Sequence, residues 1–137
     1  KEELFDTALE QYAQRQVDRI SRILDPHKTL TELIRQMPVF LDVEEEDSYA
    51  QKLCHESGNT KFHNQLSLKI CGKLQPIVEK LLTEAGARGE IHIEDPETAA
   101  SFCVYGQLGI LLDQEVPARD RTERIRRFLL DLIKSFA

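Results

Sequence analysis

The sequence has no excess of positive charge and no apolar run of membrane-spanning length. Its 18 Lys and Arg residues are outnumbered by 24 Asp and Glu residues, for a net charge of −6. Domains that bind nucleic acid carry a basic patch, so we do not expect this chain to bind DNA alone. No apolar run approaches the roughly 20 residues that cross a bilayer, and the Lys-Glu-Glu start lacks the apolar core of a secretion signal.

Cysteine is scarce, and its spacing matches neither a disulfide framework nor a CxxC metal site. The three residues, Cys54, Cys71 and Cys103, are an odd number separated by long intervals. Such a set is typical of a reducing compartment. Together with the absence of a spanning run, it predicts a cytoplasmic protein with no membrane partner.

Motifs that carry catalysis or bind cofactors are also missing. The sequence contains no GxSxG, HExxH, phosphate-binding loop or dinucleotide fingerprint. The spacing of His63 and Cys71 on one predicted helix separates them by about 12 Å, too far to share one metal ion. Cys54 and His55 are adjacent and point about 100° apart, which makes them a poor chelating pair. We therefore expect neither an enzyme nor a bound cofactor or metal.

Apolar residues recur at helical spacing along nearly the whole chain. Only Ile91 and Ile93 alternate as they would in a strand. The pattern predicts one all-α domain over residues 1–137, with no linker or internal repeat. Six helices are predicted, at about 4–24, 29–41, 48–57, 60–86, 95–113 and 120–136.

Capping residues and prolines set the expected helix ends. Thr29 with Glu32 has the pattern of a capping box, and Pro38 is expected to bend the second helix. The long fourth helix is expected to bend at Pro76 without breaking. Gly86 and Gly89 are expected to end the fourth helix as left-handed residues. Asp95-Pro96 is expected to begin the fifth helix, and Asp120 with Glu123 is expected to cap the start of the last one.

The predicted helix 95–113 is apolar around almost its whole circumference. One row of mostly small side chains allows a second helix to approach closely, while Phe102, Tyr105, Leu108 and Leu112 are expected to face the chain's own core. Paired with symmetry mates, the last two helices would form a four-helix dimer interface. Its expected residues are Ala99, Cys103, Gly106, Ile110, Phe128, Leu129, Leu132 and Ile133. A larger monomeric core that covers both faces is the alternative.

Polar and aromatic residues at the edges of the apolar stripes indicate an internal pocket. Bends at two prolines would open space between the helices. A few hydrogen-bond donors in that space could orient a small apolar or amphipathic effector. The candidate ligand-binding residues are Tyr12, Gln16, Met37, His63, Leu66, Ile70 and Gln107.

Five arginines between positions 119 and 127 raise the alternative of a phosphate site. Asp120 and Glu123 interleave with them, and neighbouring apolar residues commit one face of the helix to packing. We interpret the cluster as a solvated and partly self-paired helix face.

The order of these segments resembles the TetR family of transcriptional repressors. The string Lys1-Glu2-Glu3-Leu4-Phe5 before a long helix is similar to the segment that follows the family's helix-turn-helix, where a Ser commonly precedes Lys-Glu-Glu-Leu. The runs 84–91 and 94–100 are similar to the family's connector into its penultimate helix. Because the capping Ser is missing before Lys1, we expect the chain to be part of a longer protein.

The resemblance implies a regulatory domain in which the first five helices enclose an effector pocket and the last two form the dimer. DNA would be bound only through an N-terminal helix-turn-helix module that this chain lacks. The first helix would link the pocket to that module, with Tyr12 and Gln16 facing the cavity. The alternative function is a helical protein-interaction or structural dimerisation bundle without a small-molecule ligand.

Overall fold

The computed structural model describes residues 2–37, 60–113 and 115–137, without the side chains of residues 2, 60–63 and 118. These residues form an all-α fold with no strand among them, as predicted. Five helices are present: α1 (Glu2–Ile23), α2 (Leu30–Arg35), α3 (Thr60–Ala87), α4 (Pro96–Tyr105) and α5 (Ala118–Phe136). A further turn of helix, Leu108–Leu111, follows α4. The predicted helix 48–57 and Pro38 lie outside the described residues.

Local capping signals are confirmed at two helix starts. The Thr29 hydroxyl accepts the Glu32 N–H at 3.2 Å, and the Thr29 N–H donates to the Glu32 carboxylate at 3.3 Å. Asp95 accepts the Thr98 N–H at 3.1 Å, and its hydrogen bonds to Thr98 lower the pKa of the Asp95 carboxyl. Each cap is formed within three residues of sequence, which is why the pattern alone finds it.

Two predicted helix ends are wrong, and one of the two glycines predicted to be left-handed is not. Helix α2 ends at Arg35 and does not continue toward Leu41. Helix α5 begins at Ala118 after Pro117 and has no side-chain cap, so Asp120 lies in its first turn. Gly86 lies inside α3, and Gly89 alone among the described residues has a positive φ, of 80°. The Gly89 and Glu90 N–H groups close α3 on the Gly86 and Ala85 carbonyls.

The long helix α3 is the centre of the fold, and α1 and α4 both pack against it. The ion pairs of Glu10 with Lys69, at 3.0 Å, and with Lys73 tie the exposed edges of α1 and α3 together. Buried contacts progress in the same order along both helices, so α1 and α3 run in the same direction. Helix α2 packs against α5 at the far end of α3.

The buried apolar residues form three clusters. The α1–α3 cluster joins the first half of α1 to α3, the central cluster joins the second half of α1 to α3 and α4, and the α2 cluster joins α2 to α3, α4 and Ile91. The α1–α3 cluster comprises Leu9, Tyr12, Ala13 and Leu66. The central cluster comprises Val17, Ile20, Cys71, Leu74 and Val104. The α2 cluster comprises Leu30, Leu33, Leu81, Leu82, Ala85, Ile91 and Ala100.

The predicted continuous helix 95–113 is interrupted at Gly106 and Gln107. The Gln107 side-chain amide donates to the Cys103 carbonyl at 2.9 Å. Glycine has a low helix propensity, so a break here is favoured locally.

Gly106 is required at this break because a side chain does not fit. A Cβ atom at Gly106 would lie 2.5 Å from the Phe102 carbonyl oxygen, whereas a Cβ atom at Gly109 would meet nothing within 4 Å. We expect Gly106→Ala to lower the free energy of unfolding by about 1–3 kcal/mol. Gly109→Ala is the matched control and should be neutral or stabilising by up to about 1 kcal/mol. Urea unfolding followed by circular dichroism compares them, and equal effects would contradict this explanation.

Candidate functional site

Three of the predicted ligand-binding residues lie together between α1 and α3. Tyr12 is 2% exposed and Leu66 is 3% exposed, and both belong to the α1–α3 cluster. Ile70 packs against the same cluster and against the central one. Three residues selected from the sequence as ligand-binding candidates are therefore neighbours in the structure, on α1 and α3.

A buried amide follows one turn after Tyr12. Gln16 is 6% exposed, beside Val17 of the central cluster. A buried amide is destabilising unless its donors and acceptor are hydrogen-bonded, so such a residue in an apolar interior is well suited to orient a polar group of a ligand.

Gln65 is a polar residue of this region that the sequence analysis missed. Its side-chain oxygen is buried and has no hydrogen-bond partner among the described residues. It precedes Leu66 on α3, at the level of the α1–α3 cluster. No local pattern distinguishes it, because a glutamine beside an apolar stripe is ordinarily solvated. An unpaired buried acceptor can receive a hydrogen bond from a ligand.

The structure does not show the other predicted ligand residues joining this group. Met37 follows α2, and its carbonyl accepts a hydrogen bond from Arg126 at 2.7 Å. The Gln107 amide is bonded to its own turn at Cys103. His63 lies on α3, but its side chain is outside the described part of the chain.

A groove of about 540 Å³ lies elsewhere, between the end of α3 and the connector that leads to α4. Buried Leu82 and Ile91 line it together with the more polar His92 and Glu94. The His92 N–H donates to the Phe136 carbonyl at 2.7 Å, which fixes the end of α5 beside the connector. The sequence analysis missed this groove because contacts between distant segments create it.

The exposed apolar face of α4 differs from the one expected. Ala100 and Val104 are buried, and Leu108 packs against the central cluster. Phe102 is 78% exposed, and Tyr105 and Leu112 are also exposed. The expectation that Phe102 and Leu112 face the chain's own core is wrong, because α4 turns Ala100 and Val104 toward α3. The same expectation is confirmed for Leu108, and the partly exposed Tyr105 places its hydroxyl beside Gly72 of α3.

The predicted dimer residues divide between intrachain packing and partial exposure. Ala99 and Ile133 pack against the α2 cluster, and Gly106 lies at the helix break. Phe128 on α5 is 62% exposed. The remaining residues, Cys103, Ile110, Leu129 and Leu132, are half-buried.

Two arginines of the α5 cluster bind helix carbonyls. Arg126 donates to the Ile34 and Met37 carbonyls at 3.3 and 2.7 Å and pairs with Glu123. Arg121 donates to the Leu111 carbonyl. The Arg126–Glu123 pair agrees with the interpretation of a partly self-paired face, but Arg121 and Arg126 are partly buried and bind other segments, so these two side chains are not solvated as expected.

The two described thiols are poor nucleophiles. Burial raises the pKa of Cys71 to about 11, and it also raises the pKa of Cys103. Both side chains are therefore protonated at neutral pH, whereas the thiolate is the reactive and metal-binding form. No three His, Cys, Asp or Glu side chains in residues 2–37, 60–113 and 115–137 are grouped as metal ligands.

Comparisons with known protein families, with curated proteins and with solved structures found no match to this chain. Within the described ranges, none of the helices has both the length and the apolar character needed to cross a membrane.

Proposed function

We propose that this chain is the effector-binding and dimerisation domain of a TetR-like transcriptional repressor, with DNA bound through a helix-turn-helix module that the chain does not contain. The observation that carries the proposal is the exposure of large apolar side chains on α4 and α5, above all Phe102 and Phe128. Exposed apolar patches on soluble proteins mark interaction sites. The all-α architecture and the resemblance of the sequence to this family give the surface its proposed role.

The proposed partner at this surface is a second copy of the chain. A two-fold axis brings the same patch of both copies together, so every exposed side chain contributes twice. Four helices, α4 and α5 of each copy, would then form the interface. Burial of one phenylalanine side chain contributes about 1.5–3 kcal/mol. We assign Phe102, Tyr105, Leu112 and Phe128 to this interface, with the half-buried Ile110, Leu129 and Leu132 beside them.

The proposed effector site lies between α1 and α3, where the buried Gln16 follows Tyr12 by one helical turn and Gln65 precedes Leu66. A small apolar or amphipathic molecule could pack on the apolar side chains and pair with the amides. It would regulate DNA binding only through its difference in affinity for two arrangements of the helices. A hundredfold change in DNA affinity needs about 2.7 kcal/mol of such coupling.

Thermal unfolding in the presence of a library of apolar and amphipathic small molecules tests this site. A ligand at 100 times its dissociation constant adds about 2.7 kcal/mol to the stability of the folded state, which raises Tm by several degrees. We expect Gln16→Ala to abolish the shift. Gln65→Leu should also abolish it while stabilising the free protein, because the substitution removes an unpaired buried acceptor. Gln11→Ala, an exposed glutamine of the same helix, is the control.

The alternative function is a helical interaction or dimerisation bundle that binds no small molecule. The tight packing of Tyr12, Leu66 and Ile70 favours it, since these side chains already bury one another. The same experiment separates the two functions. No thermal shift across the library would favour the bundle, as would shifts that both glutamine variants retain.

A further inference from the structure

Helix α2 is too short to be stable without support from the rest of the chain. It contains only six residues, Leu30–Arg35. The first four N–H groups and the last four carbonyls of any helix have no intrahelical partner, so these groups dominate a helix of this length. Isolated helices shorter than about 12 residues are marginal in water. The state of α2 therefore depends on what binds its ends.

The N-terminal end is held by residues near the end of α3. Glu90 accepts the Leu30 N–H at 2.7 Å. Its other carboxylate oxygen is bound by Arg88 at 2.9 Å, and Arg88 also donates to the Pro26 carbonyl at 3.1 Å. Leu30 and Leu33 are buried in the α2 cluster. The N-terminal end of α2 is thus fixed to α3 by packing of Leu30 and by hydrogen bonds, while Leu33 and Ile34, which are also buried, lie in its second half.

The C-terminal end is held by Arg126 of α5. Its Nε donates to the Ile34 carbonyl at 3.3 Å, and its Nη2 donates to the Met37 carbonyl at 2.7 Å. Glu123 pairs with the same guanidinium and orients it. A cation at a helix C-terminus also interacts favourably with the helix dipole. One side chain therefore adds a hydrogen bond to the Ile34 carbonyl, which also accepts the Met37 N–H, and pairs the Met37 carbonyl just beyond the end of α2.

We propose that the last turn of α2 depends on the Arg126 cap in addition to the burial of Leu33 and Ile34, so that the stability of this turn reports the position of α5. Hydrogen bonds weaken steeply beyond their short distance range, so a displacement of α5 of about 1 Å breaks them. Phe128, two residues after Arg126, is exposed on the same helix. A partner that binds at Phe128 and moves α5 would then break the hydrogen bonds of Arg126 to the Ile34 and Met37 carbonyls. This device goes beyond the proposed function, because it holds whether or not the chain dimerises.

Hydrogen exchange of backbone amides tests the proposal. The relevant amides are those of Gln36 and Met37, which donate to the Glu32 and Ile34 carbonyls. In Arg126→Met we expect them to exchange at least about tenfold faster than in the wild type, because bonds from a charged donor are lost. Amides of α3 at Leu81 and Leu82 should keep their wild-type rates. Arg124→Met removes an exposed arginine of the same helix and should change neither set.

Arg126→Lys tests whether the forked geometry matters. An ammonium group keeps the charge but lacks the fixed fork of the guanidinium, so we expect exchange rates between those of wild type and Arg126→Met. Unchanged exchange at Gln36 and Met37 in Arg126→Met would overturn the proposal. Equal acceleration in α2 and α3 would also overturn it, since Arg126 would then stabilise the whole domain. Sedimentation of the same samples measures self-association separately, so failure of the proposed dimer is distinguishable.

Discussion

Replacing Leu9 by alanine should lower the free energy of unfolding by about 3–5 kcal/mol. Leu9 is 1% exposed and lies in the α1–α3 cluster with Tyr12, Ala13 and Leu66. Its removal deletes buried apolar surface and leaves a cavity that the helices on either side only partly fill. Domains of this size are stable by about 5–15 kcal/mol, so the loss would be a large fraction of the total.

Leu4→Ala is the matched control for this prediction. Leu4 lies on the same helix but is 77% exposed. The two substitutions have the same intrinsic effect on helix propensity, so their difference isolates burial. We expect Leu4→Ala to change the free energy of unfolding by less than about 0.5 kcal/mol. Denaturant unfolding of both variants gives the values, and similar losses would show that α1 does not pack on α3 as described.

Replacing Phe128 by aspartate should convert a dimer into monomers. In sedimentation equilibrium at micromolar concentration, we expect the wild-type chain to have twice its 15.8 kDa mass and the variant to have that mass once. The substitution removes two phenylalanine contacts per dimer and places two carboxylates in the interface. Loss of the apolar contacts alone amounts to about 3–6 kcal/mol, which weakens association by at least a hundredfold.

The stability of the folded monomer should change little in Phe128→Asp, because the side chain is already 62% exposed. Phe102→Asp on α4 should dissociate the dimer in the same way. Leu68→Asp is the control, since Leu68 is 54% exposed but lies on α3 outside the proposed interface. A monomeric wild-type chain, or Phe128→Asp and Leu68→Asp variants that both stay dimeric, would refute the assignment of this surface.

The candidate effector site was partly predictable. Tyr12, Leu66 and Ile70 lie on the apolar stripes of α1 and α3, and helical periodicity selects them without knowledge of the fold. Gln16 lies one turn further along α1, and its burial follows from the same periodicity. Whether Met37 and Gln107 lie near this group depends on how α2 and α4 are placed. Helical periodicity does not specify that placement.

The direction of α4 shows where helical periodicity stops being informative. A helix that is apolar on all sides offers several equivalent faces, so the sequence alone does not decide which one packs inward. The structure buries Ala100 and Val104 and exposes Phe102. The small side chains allow α4 to lie close to α3, where the Cys71 thiol is 3.8 Å from the Val104 carbonyl. Close packing of backbones, which needs both helices, decides the outcome.

The sequence by itself determined the all-α class, the extent of α3, the capping box at Thr29, the N-cap at Asp95 and the left-handed residue Gly89. All of these arise from interactions within about one helical turn, which a local pattern contains completely. Only the tertiary structure decided the outward face of α4, the groove beside Ile91 and the capping of α2 by Arg126. Arg126 is separated from the Met37 carbonyl by 89 residues, and contacts at such separations depend on how the helices assemble.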